Sequence, residues 1–101
     1  MKYVLLSHDH DPSVYSVPDE VANNLRKYCI EFCVNWLEES PHAQKYHSEN
    51  GSISYNEEDF IEYLNEWIFP NEKSVYIETI DFMQTEKDKP EKYKDCAWFN
   101  F

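Results

Sequence analysis

PDEVANNLRKYCIEFCVNWLEE, residues 18–39, is the stretch on which the architecture turns. Val21, Leu25, Tyr28, Cys29, Phe32, Trp36 and Leu37 recur with the 3.6-residue period of one helix face. Pro18 suits a first helical position, where its missing N–H costs nothing. Asp19 and Glu20 follow in the first turn, where the helix dipole favours anions. Ser40-Pro41 ends the pattern, because proline disfavours helical geometry in the residue before it. The spacing predicts one long amphipathic helix over 18–39.

On its N-terminal side, Tyr3 to Ser7 and Val14 to Val17 read as two short strands. The loop His8-Asp9-His10-Asp11-Pro12-Ser13 lies between them, and the pair predicts a hairpin. On its C-terminal side, Pro41 to His47 predicts one or two further helical turns, and Asn50-Gly51 marks a loop. Asn56 has the chemistry of an N-cap, with Glu57, Glu58 and Asp59 in the turn it starts. A second helix runs from there to about Ile68, with Phe60, Ile61, Leu64, Trp67 and Ile68 as its stripe, and Pro70 stops it. Ser74 to Phe82 reads as a strand, Thr85 to Lys92 as a charged turn, and Tyr93 to Phe101 as a last strand paired in a hairpin with the previous one. The expected fold is a single α+β domain over residues 1–101: a small antiparallel sheet with two main helices packed on one face.

The chain has 101 residues, 20 acidic against 9 basic, and a net charge of −11. It is too short for a barrel enzyme or a complete dinucleotide-binding fold. The charge argues against nucleic acid as a direct ligand and against an anionic membrane surface, since both are held by Lys and Arg. Aromatic residues make up 17% of the chain, which favours a folded core over the disorder that high charge alone would imply. No apolar run approaches the roughly 20 residues that span a bilayer. Cys29, Cys33 and Cys96 read as reduced, partly buried thiols of a cytoplasmic protein.

The charge is unevenly placed. Residues 1–48 carry −3, residues 82–101 carry 0, and residues 49–81 carry −8. Within the second predicted helix, Glu58, Glu62 and Glu66 are spaced i, i+4, i+8, with about 6 Å of rise between neighbours. Like charges at that spacing oppose helix formation by roughly 0.2–0.5 kcal/mol per pair. No Lys or Arg lies within the helix to offset them. The pitch is close to the separation of successive phosphates on one nucleic-acid strand, about 6–7 Å from duplex dimensions. Such a row fits a groove lined with Arg and Lys. The candidate partner-binding residues are Glu57, Glu58, Asp59, Glu62, Glu66, Glu72, Glu78, Asp81 and Tyr63. Trp36, Trp67 and Trp98 are expected in the core, and Tyr55, Tyr63 and Tyr76 at exposed contacts.

A second constellation is Leu5-Leu6-Ser7-His8-Asp9-His10-Asp11. It resembles the strand-then-HxH segment that opens the metal site of metallo-β-lactamase-type hydrolases, with His8, His10 and Asp11 as the implied ligands. Pro12 and Ser13 depart from that pattern, and the chain is too short for that fold. No phosphate-cradling glycine loop or nucleophile motif occurs, so no enzyme activity and no cofactor are expected.

In size and charge the whole chain resembles small acidic inhibitors carried by phages and mobile elements, the anti-CRISPR and anti-restriction DNA-mimic type. That resemblance implies a target that itself handles nucleic acid, such as a Cas9-type effector or another nuclease. A small metal-binding protein or hydrolase using the His8–Asp11 loop and an accessory interaction domain are the alternatives.

Overall fold

A computed structural model describes all residues 1–101. Strands β1 (Lys2–Ser7) and β2 (Ser13–Val17) form an antiparallel hairpin, with Val4 opposite Tyr15 and Leu5 opposite Val14. β3 (Val75–Thr79) adds to β2 antiparallel, and β4 (Trp98–Asn100) adds to β1 parallel, for a spatial order β3-β2-β1-β4. The α+β class holds. The two C-terminal strands do not pair with each other, however; they occupy opposite edges of the sheet. The chain between them crosses the sheet through short 3₁₀ turns at Glu86–Asp88 and Glu91–Tyr93, too long a path for a hairpin. Both strands are shorter than their apolar patterns predict.

Strand alternation divides the core. Val4, Leu6, Tyr15 and Val17 point to the helices, while Leu5 and Val14 point to the other face, where Met83 and Tyr93 cover them. β1 is therefore buried on both sides, which is why Val4-Leu5-Leu6 is a continuous apolar run.

The run predicted as one helix is segmented. α1 (Asp19–Asn23) ends at Asn24, whose backbone leaves helical geometry at φ −134° and ψ 40°. The Asn24 side-chain amide donates to the Glu20 carbonyl at 3.0 Å, in local competition with the helix ladder. α2 (Leu25–Ile30) continues through a wider π turn, Glu31–Trp36, into α3 (Leu37–Glu39). Pro41–Tyr46 follows as a 3₁₀ segment, started by Ser40 Oγ accepting from His42 N. The second helical run is α4 (Glu57–Tyr63) followed by a π turn at Leu64–Ile68.

Both runs converge on Phe32, which is fully buried. Its ring meets Tyr63 at 5.1 Å, Phe60 at 5.6 Å, Tyr55 at 5.7 Å, Trp36 at 5.8 Å and Phe101 at 6.1 Å. Four of these pairs are edge-on or tilted and the Trp36 pair is stacked, and such aromatic contacts add to the area they bury. The three cysteines are free; Cys29 is buried, and burial pushes its thiol up.

Candidate functional site: an acidic helix beside an aromatic cavity

α4 begins with a reciprocal capping box. The Asn56 side chain accepts from Asp59 N at 3.2 Å, and the Asp59 carboxylate accepts from Asn56 N at 2.9 Å. Asp59 is thus engaged in starting the helix. Glu57, in the first turn, points inward and is only 5% exposed. His10 Nε2 lies 3.2 Å from Glu57 Oε1, and Glu57 Oε2 has no hydrogen-bond partner. Burial, then the charges of Glu57 and Glu58, push the Tyr15 phenol up.

The carboxylate row is partly realised. Glu58 and Glu66 are exposed and form no ion pair, while Glu62 between them is half-buried. Relief for Glu62 comes from outside the helix: Lys45 Nζ, on the 3₁₀ segment, lies 2.9 Å from its Oε1. The Tyr46 hydroxyl donates to Oε2 at 3.4 Å. The hydrogen bond from Lys45 holds the Glu62 carboxyl below its ordinary range and pushes Lys45 up.

Other predicted contact residues lie elsewhere. Tyr63 is 3% exposed because its ring packs on Phe32 and Trp36, so it offers no surface to a partner. Glu57 is likewise buried. Glu72 is exposed in the turn after Pro70, and Asp81 is exposed in the turn after β3. Glu78 sits opposite Val14, on the sheet face away from the helices. There it accepts from the Tyr93 hydroxyl at 2.5 Å and pairs with Lys92 at 2.9 Å. The row and Glu78 therefore belong to different surfaces. Tyr55 is half-buried, whereas Tyr76 is exposed on the sheet edge.

Trp67 departs from its expected core position. It is 45% exposed and stacks on His42 with ring centroids 4.2 Å apart. Trp36 and Trp98 are half-buried. Trp36, Tyr46, Tyr63 and Trp67 wall a cavity of about 130 Å³, with Glu62, Glu66 and Lys45 as its charged groups. His42, Lys45 and Tyr46 are the residues that sequence reasoning missed. The turns at Pro41 to His47 are visible in the pattern, but nothing local shows that they fold back on a helix 17 residues later.

The histidine loop adopts different chemistry from its sequence resemblance. His8 stacks on Tyr55 at 5.5 Å, while His10 turns to Glu57 and to the Asp11 carbonyl, 2.9 Å from Nδ1. Asp9 takes a left-handed φ of 62°, and its N–H donates to Asn100 Oδ1 at 2.9 Å. No group of three or more His, Cys, Asp or Glu side chains is placed to hold a metal ion. No helix is long and apolar enough to cross a membrane.

Compared with known proteins, this chain matches no family model, no curated protein and no solved structure.

Proposed function

We propose that this is a non-enzymatic binding protein of the cytoplasm. It occludes the basic nucleic-acid-binding surface of a partner such as a Cas9-type CRISPR effector or another nuclease. The observation that carries this reading is the exposed pair Glu58 and Glu66, without counter-ions, on the same helical run as the half-exposed Trp67. Glu58 and Glu66 gain no ion pair from the fold; a groove of arginines turns the same charges into attraction. Trp beside charged groups is the composition of an interface anchor. The excess of −11 would also steer encounter with a basic surface.

The test is DNA cleavage by a guide-loaded Cas9-type effector, a restriction nuclease and a nuclease toxin, each with the protein added. At least one activity is expected to be lost at about 0.1 M salt and regained near about 0.5 M, where exposed charges are screened. The double variant Glu58→Lys, Glu66→Lys is expected to inhibit poorly, while Glu91→Lys, on the far side of the sheet, keeps full inhibition. Unchanged cleavage by all three enzymes, or full inhibition by the double variant, overturns the reading.

A further inference from the structure

The cavity between the Pro41–Tyr46 segment and the α4 run combines two features that recognise a cation. Its lining includes the aromatic side chains of Trp36, Tyr46 and Trp67, the last with one face stacked on His42 and the other left for a ligand, and its polar groups include the carboxylates of Glu62 and Glu66. A cation within about 6 Å of a ring centroid is attracted by the ring's quadrupole. The protein already places one there: Lys45 Nζ lies 5.1 Å from the Tyr46 centroid and 2.9 Å from Glu62 Oε1. That ammonium is a point charge and engages one carboxylate, leaving Glu66 without an ion pair. A guanidinium is planar; it stacks on an indole and offers several N–H donors in one plane. Trp67 and Glu66 are both exposed and both line the cavity, so one such group placed there meets the ring and the carboxylate that has no ion pair.

We infer that this cavity is a receptor for one guanidinium group on a polypeptide, an arginine side chain, and that Lys45 is its built-in competitor in the free protein. The inference rests on the proposed function only for the arginine's origin, a basic partner. Lys45 is exposed and its stem is flexible, so its ammonium is free to swing out when an arginine enters. Two carboxylates against one resident cation leave the site short of positive charge.

The experiment uses the intact protein, a blocked Gly-Arg-Gly peptide and the indole N–H signals of its tryptophans by NMR. Saturable shifts of Trp36 and Trp67 are expected. The Trp98 signal, whose N–H donates to Ser7 Oγ at 3.0 Å on the sheet, should stay still. The citrulline peptide, the neutral isostere, should give no shift, and free arginine should bind more weakly because its own carboxylate meets Glu62 and Glu66. Two surface variants should move affinity in opposite directions. Glu66→Gln should weaken binding roughly fivefold, and Lys45→Met should tighten it by roughly the same factor. The proposal is overturned by no indole shift, by citrulline or free arginine binding as well as the arginine peptide, or by Lys45→Met failing to tighten binding. Peptide binding is read without any nuclease. Its failure leaves the cleavage test standing, and a failed cleavage test leaves the peptide result intact.

Discussion

His10 and Glu57 join the two most conspicuous polar motifs of the chain. The histidine of the β1–β2 loop lies 3.2 Å from the carboxylate that opens the acidic helix. His10 is largely exposed and Glu57 is buried, so the energetic weight falls on the glutamate. Ion pairs at a surface contribute little, but a buried carboxylate that loses its partner is costly. His10→Ala is expected to lower stability by about 1–3 kcal/mol. Glu57→Gln, introduced on top of it, should recover part of that loss. Urea unfolding of the two single variants and the double variant gives the coupling; strict additivity would refute the contact's importance.

The helix start makes a separable contribution. Asn56 and Asp59 satisfy each other's backbone N–H groups. Asn56→Ala should cost about 1 kcal/mol, with Asn56→Ser nearly neutral, as judged by the urea midpoint.

The acid limb of stability follows from carboxylates held below their ordinary values, Glu62, Glu78 and Asp88 among them. Glu62 is stabilised first by the hydrogen bond from Lys45, Glu78 by that from Tyr93, and Asp88 by the backbone N–H of Gln84 and of Thr85. A carboxylate with a depressed folded value stabilises the fold above its unfolded value. That contribution is lost as pH falls through the folded one. Stability should therefore decline below ordinary values of 4.5 for the glutamates and 3.8 for the aspartate. Thermal melts between pH 7 and pH 2 should show a shallower acid decline in Glu78→Gln and Asp88→Asn. An unchanged slope would count against these contacts.

Phe82 is 90% exposed and sits at a φ of 62°, in the left-handed region. A bulky residue there carries a strain of roughly 1–2 kcal/mol, and the exposed ring gains no burial in return. Phe82→Asn should stabilise the protein by up to about 1 kcal/mol, since Asn tolerates that region. A lower melting temperature would show that the ring has an unrecognised packing role.

Phe32→Ala removes the ring on which both helical runs meet. The expected loss is about 3–5 kcal/mol. Stability for a domain of this size is on the order of 5–15 kcal/mol, so the variant should be close to unfolding at 37 °C by circular dichroism.

Local patterns carried most of the elements. The apolar period of 18–39, the Asn56 cap and the alternation around Val14 each concern residues within a few positions of one another. What escaped is tertiary. The parallel docking of β4 depends on a crossover, because a nine-residue strand pattern at Tyr93 to Phe101 is silent about its neighbour. The π turn over Glu31–Trp36 leaves no mark in the apolar spacing, because Phe32 and Trp36 stand four apart as they would on an α-helix. Glu57 and Glu58 are chemically alike; only the position of His10 and the direction of α4 decide which one is buried. Lys45, 17 residues from Glu62, is invisible to any count of charges within the helix.

The pairing of β1 with β4 also sets an order of events during synthesis. Residues 2–17 leave the ribosome able to form a hairpin, but β1 receives its second neighbour only when residues 98–100 have been made. At usual rates of elongation, that neighbour is roughly 4–16 s behind. During that interval Leu5, Leu6 and Ser7 have an open edge of unpaired amides and carbonyls, the template that foreign strands exploit. A nascent chain held at residue 90 should therefore be sensitive to protease and avid for chaperones in a way that the finished protein is not.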